Sequence, residues 1–401
     1  MNEYDNWFSR EGEERYIRLR KEVQRRLGRE RQETDSMVRR QIYEVLAQEA
    51  SQAYLPVRER VLIGSRIFYA LRGLDILQPL LEDEAITEIM VNGPDHIYVE
   101  YRGKMIRTKG HFESLQRLED VIQQIVGSIN RRVNEANPIV DARLADGSRV
   151  NVILPPVALN GPILTIRKFR KEPIRVKDMI HWGTFTEEAA DFLRYLVENR
   201  YNIFVCGGTG AGKTTLLNVL SNFIPEEERV ITIEDAAELR LSSLENVITL
   251  ETRNGALDGR GRITMRDLIR TSLRARPDRI IVGEVRGAEA LDMLSAMNTG
   301  HEGSLSTGHA NSTQDMISRL ETMVLMGADL PMEAIRQQIA SAIDIFVYIA
   351  RGRGGQRMVT EISQVLGMTD GQVKMESLFS WREGKLLRTE AKLHRRKERG
   401  G

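Results

Sequence analysis

The sequence predicts an α/β protein: a charged helical extension, then a smaller α+β domain, then a C-terminal domain of alternating strands and helices. Three observations carry that expectation. The chain has 401 residues, more than one ordinary domain needs. Short β-rich runs surround an amphipathic helix from about Leu74. Beyond Thr186, apolar strands alternate with helical segments, the rhythm of a sheet covered by helices.

Composition narrows the class. Apolar residues make up 41% and charged residues 29%, as in soluble globular proteins. A net charge of +1 gives no bulk reason to expect a nucleic-acid partner. The single cysteine, Cys206, excludes an internal disulfide framework and suits a reducing cytosol. The most apolar stretch, Val150 to Ile166, is too short to span a membrane and is broken by Pro155, Pro156, Asn160, Gly161 and Pro162. The start, Met1-Asn2-Glu3-Tyr4-Asp5, lacks the apolar core of a secretory signal. The expectation is a protein that stays inside the cell and reaches a membrane only through a partner.

Taken in order, the first 50 residues mix 11 Lys or Arg with 11 Asp or Glu and contain no proline. They read as charged helix with a narrow apolar stripe at Ile42, Val45 and Leu46, either a solvated extension or a small bundle. Ile89-Met90-Val91 and His96-Ile97-Tyr98-Val99 are strands split by the turn Asn92-Gly93-Pro94-Asp95. Leu115, Leu118, Ile122, Ile125 and Ile129 share a helix face, with Ser114 as its N-cap. Strands flank a hairpin turn at Asp146-Gly147 and continue through Ile163-Leu164-Thr165-Ile166. Charge and proline at Lys171-Glu172-Pro173-Ile174-Arg175 mark a linker.

The second half then reads as strand Asn202–Cys206, helix Thr214–Phe223, strand Val230–Ile233, helix Met265–Ala275 and strand Arg279–Val282. Later helices open at Ser312-Thr313 and Pro331. From Trp381 to Gly401 there are eight Lys or Arg against three Asp or Glu, read as a solvated, frayed end.

The strongest chemical signal is Gly207-Gly208-Thr209-Gly210-Ala211-Gly212-Lys213-Thr214. It fits G-x-x-x-x-G-K-[ST] at every fixed position, between an apolar strand and a helix. Glycines let the backbone curl so that successive N–H groups face phosphate oxygens, and the helix N-terminus adds its positive end. Lys213 is expected to reach the β- and γ-phosphates, Thr214 to ligate Mg²⁺, and Gly208 through Thr215 to line the nucleotide.

Phosphoryl transfer to water also needs a held metal and an oriented water. Two acidic clusters stand at strand C-termini, where ligands gather in open α/β sheets. One is Thr232-Ile233-Glu234-Asp235, with Glu238 close behind; the other is Arg279-Ile280-Ile281-Val282-Gly283-Glu284. A usual Walker B strand ends in Asp, but Gly283 stands there. Glu284 therefore reads as the residue that orients or deprotonates water, Glu234 as the second choice, and Glu234 or Asp235 as further metal candidates. An N-cap or a surface ion pair is the plainer alternative for each. Two Gly-His pairs, Gly300-His301 and Gly308-His309, bracket a short strand able to present an imidazole. Six His and one Cys give a zinc site no support.

The order of these motifs resembles the type II/type IV secretion ATPase superfamily: the Walker A run at Gly207, the acidic box Ile231 to Glu238, the Walker B variant Arg279 to Arg286, and the histidine box Thr299 to His309. Ile89-Met90-Val91-Asn92-Gly93-Pro94, Leu273 to Arg279 (Leu-Arg-Ala-Arg-Pro-Asp-Arg) and Asn298 to Ser304 (Asn-Thr-Gly-His-Glu-Gly-Ser) look like its CpaF branch, which serves tight-adherence (Flp) pili. The likeness runs from about Ile86 to Met368, and in that family Gly283 is the normal residue.

The residue pattern divides the chain into an extension (1–72), an N-terminal domain (73–170), a linker (171–186) and a C-terminal domain with a basic tail (187–401), which the resemblance makes a RecA-like ATPase domain. The resemblance implies a hexamer that uses ATP and Mg²⁺ and works on an inner-membrane platform protein, peripheral to the cytoplasmic face, with no specific nucleic acid. It further implies nucleotide between the two domains, with Arg143, Arg149 and Arg167 at its phosphates. It also places His309 near the γ-phosphate, with His301 as the second candidate there. Spacing alone would leave those arginines as surface residues of a hairpin. Two alternatives stay open: a motor for protein or DNA transfer or for pilus retraction, and a nucleotide-sensing scaffold with little turnover. No Asn-Lys-x-Asp run supports a GTPase.

Overall fold

The computed structural model describes residues 10–28, 34–128, 133–144, 146–169, 174–253, 261–352 and 354–394. Ile129, Ala145, Lys171-Glu172-Pro173 and the chain beyond His394 lie outside the described residues. The chain divides into two compact units, Met1–Lys171 and Glu172–Gly401.

The first unit opens with three helices, α1 (Arg10–Leu27), α2 (Asp35–Gln52) and α3 (Val57–Arg72). Ile42, Val45 and Leu46 are buried there against Tyr16, Leu19, Val23 and Ile67. The expected stripe is thus the inside of a small bundle with its own core. Ion pairs with one buried member stitch its helices: Arg18 meets buried Glu49 at 2.5 Å and buried Arg66 meets Glu13 at 2.6 Å. Arg117 joins Asp75 at 2.5 Å and donates to the Ala70 carbonyl at 2.6 Å, tying the bundle to the α+β part of the same unit.

After a short helix α4 (Gln78–Glu82) come β1 (Ile86–Asn92), β2 (Ile97–Tyr101), β3 (Lys104–Arg107), helix α5 (Leu115–Ser128), β4 (Ile139–Arg143), β5 (Arg149–Ile153) and β6 (Ile163–Arg167). The strands form one antiparallel sheet in the order β3-β2-β1-β6-β5-β4. Helix α5 forms because Leu118, Ile122 and Ile125 recur on one face, and all three are buried with the inner face of the sheet. The Ser114 hydroxyl accepts the Arg117 N–H at 3.1 Å, satisfying one of the donors a helix start leaves open.

The second unit contains α6 (Val176–His181), α7 (Glu187–Glu198), β7 (Ile203–Gly207), α8 (Lys213–Ser221), β8 (Val230–Glu234), β9 (Val247–Glu251), α9 (Met265–Ser272), β10 (Arg279–Val282), α10 (Glu289–Asn298), β11 (Leu305–His309), α11 (Thr313–Leu325) and α12 (Met332–Ala342). Strands β12 (Ile345–Arg351), β13 (Arg357–Thr369), β14 (Gln372–Arg382) and β15 (Lys385–Arg388) close it. They make a nine-stranded mixed sheet ordered β15-β14-β13-β12-β7-β11-β10-β8-β9. From β12 to β9 neighbours run parallel; β12 through β15 form antiparallel hairpins.

Both faces of the parallel part are covered, which is why β7 reads as a continuous apolar run. Ile203 and Val205 pack on one face with Leu193, Leu196, Leu216 and Leu220; Phe204 and Cys206 pack on the other with Met293, Met316 and Phe346. Cys206 is fully buried, and burial pushes its thiol pKa up. The segment expected as linker carries α6, whose Met179 is buried in the core of this unit.

From Trp381 to His394 the basic end is not frayed as expected. Trp381 pairs Leu386 across the β14–β15 hairpin. The Gln364 side chain then holds the chain by donating to the Lys392 carbonyl and accepting the His394 N–H, both at 2.9 Å. Among the described residues no helix is long and apolar enough to cross a membrane.

Candidate functional site

Strand β7 ends at Gly207, with His309 of β11 beside it on one side and Ile349 of β12 on the other. The fit is so close that a Cβ on Gly207 would come within 2.1 Å of the Ile349 carbonyl oxygen. Beyond it Gly210 (φ +68°) and Gly212 (φ +96°) take the left-handed conformation, where any Cβ is costly. The loop feeds α8 at Lys213, so the first N–H groups of that helix point into the loop without helical acceptors. Thr209 and Gly210 are exposed, Gly208, Thr214 and Thr215 are half-buried, and Ala211 is buried. This is the shape of a phosphate cradle.

Lys213 is buried, and its Nζ gathers the site. It lies 3.2 Å from the Gly208 carbonyl, 3.1 Å from His309 Nδ1 and 3.9 Å from Glu284 Oε1. Glu284 follows β10 and His309 ends β11; since these strands are parallel neighbours, their C-terminal ends bring both side chains to the loop. His309 Nε2 lies 2.8 Å from Glu284 Oε1, yet that buried oxygen has no aligned hydrogen-bond donor. The other oxygen, Oε2, accepts from Arg286 Nη2 at 2.5 Å and Nε at 2.8 Å. Arg286 Nη1 is also 3.7 Å from Asp235.

Burial lowers the His309 pKa below its ordinary value of 6.5; Glu284 opposes that, while Lys213, Arg286 and Arg319 reinforce it. The imidazole is therefore neutral at pH 7 and can accept from Lys213.

Glu234, also buried, is occupied differently. Its carboxylate accepts the Glu238 N–H at 3.0 Å and the Leu239 N–H at 3.2 Å, so it holds the backbone after β8 in place. Gly283 packs against it: a Cβ there would stand 2.8 Å from Glu234 Cγ. The glycine in the usual aspartate position is thus a steric requirement of this site. Asp235 is exposed and accepts from Thr252 Oγ1 at 3.3 Å.

The two histidines part company. Leu305 of β11 pairs Ile203 at the start of β7, and His309 pairs Gly207 at its end. His301 precedes β11 altogether, with Nδ1 3.3 Å from the Ala296 carbonyl. It therefore sits at the opposite end of the sheet from the loop, and the second candidacy of His301 for the γ-phosphate is corrected. One strand length separates the two histidines.

Arg143, Arg149 and Arg167 belong to the first unit, where register sets Arg143 opposite Arg149 and Arg149 opposite Arg167. They form a row on the face of the sheet opposite its buried Val140, Val150, Val152, Leu164 and Ile166. The hairpin turn between the first two is held by Ser148, which donates to Asp146 at 2.9 Å.

Sequence reasoning assigned no role to Arg286, Arg319, Arg351 or Arg357. Arg286 and Arg319 line a cavity of about 640 Å³ with Gly208, Thr209, His309 and Asn311. Arg357 donates through Nε to the Gly210 carbonyl at 3.2 Å. Among the described residues no cluster of three His, Cys, Asp or Glu could hold a metal alone. Of the residues expected to hold Mg²⁺, Thr214 is half-buried at the start of α8, Asp235 is exposed beside Arg286, and Glu234 accepts backbone N–H groups.

A family model described as "Type II/IV secretion system protein" matches residues 70–371. A Mycobacterium tuberculosis protein named for conjugal transfer is 36% identical over 315 residues, covering 77% of this chain and 89% of its own. The type IV secretion system protein PtlH of Bordetella pertussis is 32% identical over 317 residues, 72% of this chain and 93% of its own. Among solved structures, the pilus retraction motor PilT with bound ADP aligns at a TM-score of 0.54 and 21% identity, over 74% of this chain and 83% of its own. The ATPase DotB of Legionella pneumophila aligns at 0.52 and 20%, over 71% and 78%. At those identities the last two show the fold alone.

Proposed function

The chain belongs to the type II/IV secretion system protein family, and from that premise we propose that it is an ATP-hydrolysing motor for assembly of a tight-adherence pilus. It would work as a ring of six copies at the inner face of the cytoplasmic membrane, against a platform protein in that membrane. The observation that carries the enzymatic part is the meeting of Lys213, Glu284 and His309 at the glycine loop, with one buried Glu284 oxygen left without an aligned donor. A buried polar atom in that state costs stability unless something else completes it. A water held for in-line attack would do so.

Bound ATP with Mg²⁺ supplies the phosphoanhydride to be cleaved. Lys213 neutralises charge at the β- and γ-phosphates, and Thr214 offers its hydroxyl to the metal. Glu284 orients or deprotonates the attacking water, held in place by Arg286. His309, neutral, fixes Lys213 and faces the γ-phosphate. Glu234 shapes the wall against Gly283. The row Arg143-Arg149-Arg167 stands side by side across three strands of the first unit's sheet. We assign it to the phosphates during transfer.

The reading is tested by the ATPase rate per chain against protein concentration, with Lys213→Ala as the blank. A rate that climbs with concentration and falls at least about a hundredfold in the variant supports it. Hydrolysis by Lys213→Ala equal to wild type removes the site assignment.

The tight-adherence assignment rests on Ile89 to Pro94, Leu273 to Arg279 and Asn298 to Ser304. A second reading, a motor for conjugal transfer or type IV secretion, is favoured by the names of the relatives. Capture of a pilus platform protein or of a transfer-channel component by the full chain decides between them.

A further inference from the structure

Two parallel neighbours flank the phosphate loop, and the flank away from His309 ends in arginine. Strand β12 lies beside β7 opposite β11, with Ile349 next to Gly207. It ends at Arg351, the chain turns through Gly352 to Gly355, and β13 returns at Arg357, the cross-strand partner of Arg351. Both arginines are exposed. Arg351 Nη1 is 3.6 Å from where a Cβ on Gly210 would stand, and Arg357 Cδ is 3.0 Å from the equivalent point on Gly212. Among the described residues Arg351 has no carboxylate partner.

Two guanidinium groups set directly opposite each other repel. Both are nevertheless laid against the glycines of an anion cradle, at the turn of a glycine-rich hairpin. Lys213 leans to the other flank, towards His309 and Glu284, and so fixes where the γ end belongs. What remains on the β12 side is the part of the nucleotide that survives hydrolysis.

We propose that Arg351 and Arg357 are nucleotide-binding residues that grip the α- and β-phosphates from the β12 flank and so set how tightly ADP is retained. The inference rests on the nucleotide reading of the glycine loop. Arginine suits the task, since its planar fork pairs bidentately with phosphate oxygens and never loses its charge. Because ATP and ADP share these phosphates, the contact stabilises both and acts on affinity and on product release.

The test is the dissociation constant of a fluorescent ADP, and of pyrophosphate by competition, for the full chain and its variants. Arg351→Ala is decisive, because Arg357→Ala also removes the hydrogen bond to the Gly210 carbonyl. Arg351→Ala is expected to weaken both ligands about tenfold, the scale of one charged hydrogen bond, and Arg351→Lys less. Lys385→Ala, an exposed base on β15, controls for general charge and should change either by less than about twofold. ADP binding by Arg351→Ala within about twofold of wild type, while Lys213→Ala is weakened, overturns this inference and leaves the nucleotide site standing. Unchanged binding by Lys213→Ala removes the site itself. A loss for ADP with none for pyrophosphate places the arginines on the nucleoside and overturns the phosphate grip.

Discussion

The two ends of the parallel sheet in the second unit both bury charge, and they treat it in opposite ways. At the end where the strands begin, Arg279 is fully buried and each of its guanidinium nitrogens has a partner. Its Nε and Nη2 meet Glu228 at 2.6 and 2.8 Å, and its Nη1 donates to the Val197 carbonyl at 2.7 Å. Asn202 beside it donates to the Ala342 carbonyl at 2.6 Å and accepts the Gly303 N–H at 2.9 Å. At the end where the strands finish, the buried cation is Lys213, whose nearest Glu284 oxygen is 3.9 Å away. Glu284 keeps a buried oxygen without an aligned donor. One end is finished by the chain; the other is built to be finished by something else. On the function proposed above, that difference separates structural charge from catalytic charge more sharply than burial does.

Breaking the contrast at its strongest point takes a pair of variants. Lys213→Ala should abolish hydrolysis while leaving the melting temperature within a few degrees of wild type, about the spread of a 1 kcal/mol change. Arg279→Ala should do the reverse in kind: it removes the buried partner of Glu228, leaving that carboxylate only the half-exposed Arg200 at 3.3 Å, and should cost up to about 3–5 kcal/mol in urea unfolding. An Arg279→Ala chain as stable as wild type would erase the distinction drawn here.

A smaller effect is expected at the wall between β8 and β10. Gly283→Asp introduces the aspartate that ends an ordinary Walker B strand, but its Cβ would meet Glu234 Cγ at 2.8 Å. Overpacking of this kind should destabilise by about 1–3 kcal/mol and depress turnover. Full activity and stability in this variant would refute the steric account.

The titration of His309 sharpens the comparison further. Burial disfavours its charged form, so the ring stays neutral to below pH 6.5 in the nucleotide-free protein. Glu284 acts the other way, so Glu284→Gln should move the pKa further down. An NMR titration showing a rise in that variant would contradict the geometry. Smallest of all is His301→Ala, at the finished end, expected to change the hydrolysis rate by less than about twofold.

The same contrast explains what could be read from the sequence. The glycine loop was legible because its residue types, spacing and flanking elements all answer one steric demand. Glu284 was legible because it follows a buried strand, and strand C-termini share an edge. His301 and His309 were not separable by spacing, since each follows a glycine; the resemblance ranked His309 first, and the register of β11 shows that they sit at different ends. The arginine row across β4, β5 and β6 was hidden for a similar reason, because opposition across strands depends on pairing. Glu234 looked like a second catalytic acid, and only the N–H groups of Glu238 and Leu239 reveal what holds it. The end of the chain misled because its charge outweighs Trp381, Leu386 and Leu393, the apolar residues that anchor it.

Cys206, sealed between the two layers of helices beneath the glycine loop, has a practical consequence. A thiol kept protonated and out of solvent does not react with maleimides. The natural sequence is therefore already a silent background for site-directed labelling. A dye pair attached through two engineered surface cysteines, one on each compact unit, would report as an optical ruler whether the units shift during turnover.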